Sequence, residues 1–146
     1  MAEGGGCVSY PLVKAAVMTL LGRVTGIPSS ANLGHHPRTV HAERALSTTL
    51  DRFERSQSGQ VTTMDYYLTS RLWVKWQDNG AAELEMEAFI NRLPAEVDDD
   101  PTLGGACKIA RIEGGNPGFF TVGGTLFRTL DFNWFVHTKA HYGSGI

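Results

Sequence analysis

A chain of 146 residues holds one domain and leaves no room for a catalytic domain beside a regulatory one. With 42% hydrophobic and 19% charged residues it has apolar material for a core, which excludes long disorder over most of its length. A net charge of -2 excludes a surface that grips a nucleic-acid backbone on every side.

The charge is unevenly placed along the chain. Residues 1 to 77 carry eight Lys/Arg against five Asp/Glu, and residues 78 to 146 carry five against ten, so +3 is followed by -5. Either this averages out on folding, or the halves lie apart and give a dipole suited to head-to-tail packing of copies. Cys7 and Cys107 are a hundred residues apart, a spacing that gives neither a disulfide framework nor a zinc knuckle, and a reducing compartment is expected. No apolar run approaches about 18 residues and the MAEGGG start lacks a basic and then apolar leader, so neither a membrane span nor signal-peptide export is expected.

After the flexible start, 1–8, the Ser9-Tyr10-Pro11 entry opens a helix, with Ser9 as cap and Pro11 in the first turn. Val13, Ala16, Val17, Leu20 and Leu21 recur at helical spacing up to Gly22. From Thr25 to Thr39 the Gly, Pro, Ser and Asn run has no period and is expected to be an exposed connection. Residues 40–57 fit two templates: Ala42, Ala45, Leu46, Leu50 and Phe53 suit a helix, whereas Leu46, Thr48 and Leu50 alternate as in a strand.

The stretch 64–77 alternates more clearly, with Tyr66, Leu68, Leu72, Val74 and Trp76 on one face and Asp65, Thr69, Arg71 and Lys75 on the other. Tyr67 and Trp73 put large side chains on the second face too, which implies a covering surface there from the same chain or another copy. Asp78-Asn79-Gly80 breaks the strand, and Ala82, Met86, Phe89, Ile90 and Leu93 then mark a helix that Pro94 is expected to halt. An acidic loop, Asp98-Asp99-Asp100, precedes a strand from Ala106 to Glu113 that the turn Gly114 to Gly118 closes. Strands Phe119–Val122 and Thr125–His137 follow, joined by a tight Gly123-Gly124 hairpin; Leu126, Leu130, Phe132, Trp134 and Val136 share a face that Arg128 interrupts, at the sheet edge or paired. The end, 141–146, is expected to be flexible. This order predicts a single α+β domain, a mostly antiparallel sheet with helices packed on one face.

Catalytic chemistry has little foothold. His137 and His141 are four apart but without a helical ligand motif or a nearby acidic third ligand, His35-His36 are adjacent in a loop, and Asp98 to Asp100 lack calcium-loop spacing. No phosphate-binding glycine pattern and no G-x-S-x-G elbow occurs, and Cys107 falls in a predicted strand as a buried thiol. No catalytic residue, metal or cofactor is therefore assigned. The Phe119-Phe120 pair and the free ladder groups of a small sheet point instead to contacts between molecules.

From Tyr66 to His137 the residues form a familiar set: a strand ending RLWVKWQD, the helix AELEMEAFINRL, then DPTLGGACKIARIE, a glycine turn and a long last strand. The set resembles the tail terminator, or tail completion, proteins of long-tailed bacteriophages, and Asp100-Pro101-Thr102-Leu103-Gly104-Gly105 is its most specific piece. The resemblance covers roughly half the chain. It implies a protomer of a homo-hexameric ring on the head-proximal end of the tail tube, which stops tube growth and offers a surface to head-tail connector or neck proteins. Its partners would be further copies of itself, the tail tube protein, the neck proteins and genomic DNA passing through the lumen without sequence-specific contact, with no membrane. Its place would be the virion tail at the neck, and the host cytoplasm during assembly. Ring or axial contacts are expected at Asp98, Asp99, Asp100, Pro101 and Thr102, and at Gly114, Gly115, Asn116, Pro117, Gly118 and Phe119. The alternatives are a head-tail connector ring, a small metal-dependent enzyme using His137 and His141, and a binding module that forms no ring.

Overall fold

A computed structural model describes residues 9–40, 42–76 and 80–141. The expectations for 1–8, 142–146 and the Asp78-Asn79 break lie outside the described residues. Helix α1 spans Tyr10–Leu21 and buries Val13, Val17, Leu20 and Leu21, the stripe its spacing predicts. Ser9 stands at the cap with its carbonyl rather than its hydroxyl, accepting the Leu12 and Val13 amides at 3.1 and 3.2 Å. Strands follow at Asn32–Leu33 (β1), Arg44–Ser58 (β2) and Val61–Lys75 (β3), then helix α2 at Ala81–Asp99, and strands Ile109–Val122 (β4) and Thr125–His141 (β5). They form one sheet in the order β1-β2-β3-β5-β4, parallel only between β1 and β2. The chain is thus a single α+β domain with a mostly antiparallel sheet and two helices.

The two templates for residues 40–57 resolve as strand. β2 pairs with β3 from Arg44↔Val74 to Ser58↔Val61, a ladder that pairs its backbone groups and turns Leu46 and Thr48 into the buried interior. The Gly123-Gly124 hairpin is as expected, with φ of +59° and +82° at its two central residues, the left-handed pair that matches strand twist.

Several expectations are corrected. Pro94 does not halt α2, which runs on to Asp99; the lost amide is outweighed by the burial of Leu93 and Val97 on either side of it. Asp98 and Asp99 are therefore the last helical residues and not a loop. Gly114 to Gly118 is not a turn: β4 continues through it, paired with Asn133 to Thr129 of β5. At Gly115 the two backbones approach so closely that an added Cβ would overlap the Asp131 carbonyl oxygen, so the glycine serves a strand crossing and not a reversal. Cys107 precedes β4, which starts at Ile109 rather than Ala106.

Both helices pack on the same face of the sheet. Leu46, Tyr66, Leu68, Leu72, Val74, Leu130, Phe132, Trp134 and Val136 form this core with the apolar stripes of α1 and α2. The second face carries a smaller cluster of Ala45, Trp73 and Phe127, closed over by Ala31, Val40 and Ala42. The segment expected to be an exposed connection is thus a cover for Trp73, built of a 3-10 turn at Ser29–Ala31 and of β1. It answers half of the demand for a second covering surface; farther along the sheet the second face stays open.

Candidate functional site

The open half of the second face is organised by register. Arg52, Tyr67, Phe135 and Arg111 stand opposite one another on β2, β3, β5 and β4 and form one row across the sheet. The rings of Tyr67 and Phe135 are 5.5 Å apart, with the Arg52 guanidinium 3.7 Å over the first and that of Arg111 4.4 Å over the second. Each arginine also holds a carboxylate two residues on in its own strand, Glu54 for Arg52 and Glu113 for Arg111 at 3.1 Å. In the next row His137 Nδ1 lies 2.6 Å from Asp65 Oδ1 while its ring stacks on Phe135. One histidine of the metal alternative is thus engaged by a carboxylate. Among the described residues no group of three His, Cys, Asp or Glu side chains comes together as a metal site would.

Beside this row each outer strand carries a bulge, at Asp51 in β2 and Glu113 in β4. Bulges of this kind bend a sheet and are common where an edge must be shaped. The two edges are unlike. The β2 edge is covered by β1 only at Leu46 and Ser47, and from Thr48 to Ser58 no described strand pairs with its outer side. It leaves Leu50 36% and Phe53 57% exposed. The β4 edge borders a groove of about 330 Å³ between itself and α2, lined by Met86, Ile90, Pro94, Ile112, Pro117 and Phe132. Ile90 is 46% exposed there and Phe119, farther along β4, is 53% exposed.

Topology also places the two halves of the chain. Residues 1–77 supply β1, β2 and β3 and residues 78–146 supply β5, β4 and α2, so the strands of the two halves lie at opposite ends of the sheet order, while α1 from the first half packs with α2 from the second. The halves are joined by the β3–β5 ladder, from Val61↔His141 to Lys75↔Phe127, by the shared core under the helices, and by ion pairs: Arg44 to Glu85 at 2.7 Å, Arg71 to Asp131 at 2.7 Å and Arg23 to Asp100 at 3.1 Å. Arg128, which interrupts the apolar face of β5, is paired as one of its two expected fates, with Glu83 at 2.8 Å, and that pairing holds the Glu83 carboxyl below its usual range.

The residues expected at contacts fall into two separate groups. Asp100 caps α2, accepts the Gly104 amide at 3.0 Å and pairs with Arg23; the Gly104 bond and then Arg23 keep its carboxyl pKa low. The Pro101 carbonyl accepts the Ala110 amide at 2.6 Å and the Thr102 carbonyl that of Cys107 at 3.1 Å, so this loop anchors the start of β4. Asp98 and Asp99 are exposed on the last turn of α2. Gly114, Gly115 and Pro117 line the groove, Asn116 and Gly118 face the other way, and Phe119 packs edge-on against Trp76 at 5.5 Å between ring centres. The structure thus brings the second group to the groove and sets the first apart from it. Missed from the sequence were Leu50, Phe53 and the Arg-Tyr-Phe-Arg row, which only the β2–β3 register reveals.

Buried and ionisable groups away from the edges serve the fold. Ser47 Oγ accepts the Trp73 indole N–H at 2.8 Å and meets His36 Nδ1 at 2.7 Å; burial and then Arg71 push His36 below the ordinary histidine pKa. Burial pushes the Cys107 thiol up to about 11. Native protein at pH 7.5 should therefore leave Cys107 unalkylated by iodoacetamide over a time in which unfolded protein reacts fully, as read by mass spectrometry of the Cys107 peptide; equal rates would overturn that inertness.

Among the described residues no helix is long and apolar enough to cross a membrane. No protein-family model matches the chain, and no curated protein matches it at a significant level. Fold and site define a class by themselves: a small α+β domain with two unlike sheet edges that no described strand covers, one a bare stretch of strand and the other a strand beside an apolar groove.

Proposed function

We propose that this chain is a structural subunit that assembles head to tail into a closed ring, a phage tail terminator that caps the head-proximal end of the tail tube. The observation that carries the reading is the presence of two unlike sheet edges that no described strand covers, one a bare stretch of β2 and the other β4 beside an apolar groove. Unlike surfaces that meet repeatedly make a heterologous contact, which closes into a ring when the rotation permits.

Termination on this reading follows from unequal ring faces. One face repeats the docking surface of the tube and the other lacks it, so a further tube subunit gains no binding energy there, and neck proteins take the vacant face. Asp98, Asp99 and the loop to Thr102, set away from the groove, are assigned to that axial contact. DNA passage is supported by the six arginines already matched to carboxylates within the chain, Arg23, Arg44, Arg52, Arg71, Arg111 and Arg128, since a lumen of unmatched cations would retard the phosphate backbone.

Light scattering on purified protein over a concentration series tests the ring. Six copies of 15.9 kDa, about 95 kDa, are expected. A mass of 15.9 kDa throughout the series would overturn the reading. A ring that binds tail-less heads and leaves tube growth unaltered would instead make it a connector, which the same edges would serve.

A further inference from the structure

We infer that the groove between α2 and β4 is filled by the outer edge of β2 from a second copy of this chain, with Leu50 and Phe53 of the incoming strand entering it. The inference rests on the ring reading and adds which two surfaces meet.

Strand direction supports it first. β2 runs antiparallel to β3, β3 to β5 and β5 to β4, so β2 and β4 point in opposite directions. When a neighbouring copy is placed beside β4 without being turned over, its β2 runs antiparallel to β4, and the sheet continues through the contact in the pattern it already has. No described strand pairs with β2 beyond Ser47 or with the outer side of β4, where the Ala110 amide near its start is already taken by the Pro101 carbonyl. Pro117, which has no amide hydrogen, sits in β4 as proline does on edge strands.

Face matching supports it independently. Leu50 and Phe53 pair with Leu68 and Tyr66, both part of the core beneath the helices, so their side chains lie on the helix-bearing face. The groove opens on that same face, between α2 and the Ile112, Pro117 and Leu130 side of the sheet. An unturned neighbour therefore brings its two exposed apolar side chains to the side where the groove is. Ile90 and Phe53, 46% and 57% exposed in the single chain, would both be covered.

A mixing experiment on the full chain tests this, read by light scattering. Phe53→Glu spoils the strand edge of a copy and leaves its groove intact; Ile90→Glu does the reverse. Each variant alone should stay at 15.9 kDa, while an equimolar mixture should form pairs of about 32 kDa and nothing larger, because each pair has one sound contact and two spoiled surfaces left over. Phe53→Leu, which keeps the apolar contact, should still form the ring. Both glutamates replace exposed side chains, and an unchanged near-ultraviolet circular dichroism band from the tryptophans confirms folding before mixing. If either glutamate variant still forms the wild-type ring, or if the folded variants fail to pair when mixed, the docking inference is overturned while the ring reading stands. A wild-type chain that remains at 15.9 kDa overturns the ring reading and the docking with it.

Discussion

Gly115→Ala should destabilise the fold by about 3 kcal/mol or more, lowering the thermal midpoint by roughly 10 °C for a chain of this size. The cause is steric and lies in the backbone. An added Cβ would overlap the Asp131 carbonyl oxygen and stand 3.1 Å from its carbon, and neither atom can move without shifting β5 away from β4. The displacement would reach the ion pair that Asp131 makes with Arg71, 2.7 Å long and mostly shielded from solvent. Gly118→Ala is the control: its Cβ would meet only the Thr129 hydroxyl at 3.2 Å, a side-chain atom able to rotate, and should cost less than about 1 kcal/mol. Thermal or urea unfolding of the two variants decides the matter. Equal losses would show that β4 does not cross β5 as closely as described.

The same glycine explains the largest misreading of the sequence. Gly-Gly-Asn-Pro-Gly has the composition of a turn, and composition carries no information about an approaching strand. What decides for strand is the ladder with Asn133 to Thr129, a tertiary fact. The Pro94 expectation fails for a related reason: proline weakens one turn locally, but Leu93 and Val97 are both buried against the sheet and carry the helix through. Where local pattern and burial agree, the sequence reads well. The alternation from Tyr66 to Val74, the α1 stripe and the shared face of Leu130 to Val136 fall as expected because each turns one apolar face to the core under the helices, and the Gly123-Gly124 reversal does so because both glycines take positive φ.

The candidate site was less legible. The charge split could be counted from the residues, but its placement depended on strand order and on α1, from the first half, packing with α2 from the second. Leu50 and Phe53 were visible as apolar residues of a segment compatible with two kinds of structure, and a helix would have buried them. Only pairing with β3 turns both toward the helix-bearing face at an edge no described strand covers. The groove is likewise made of residues far apart in sequence, Met86 and Ile90 on α2 against Ile112 and Pro117 on β4, and the second of those pairs lay partly in the stretch read as a turn.

Ser70→Ala should cost about 1–3 kcal/mol although it removes a single oxygen atom. Ser70 is fully buried, and its hydroxyl oxygen accepts the indole N–H of Trp134 at 2.8 Å and lies 2.8 Å from the Thr48 hydroxyl. Alanine would strand two buried polar groups on the two neighbouring strands, with Trp134 itself only 1% exposed. The two central strands repeat the device on the other face, where Trp73 donates to Ser47, so each large indole in the sheet is satisfied by a serine one strand away. A double-mutant cycle with Trp134→Phe separates the stranded hydrogen bond from lost packing. Trp134→Phe alone pays for a cavity, but in its background Ser70→Ala no longer leaves an indole N–H unpaired. Its cost, measured by urea unfolding, should therefore fall by about 1 kcal/mol or more. Strict additivity would mean that the Trp134–Ser70 bond contributes nothing to stability.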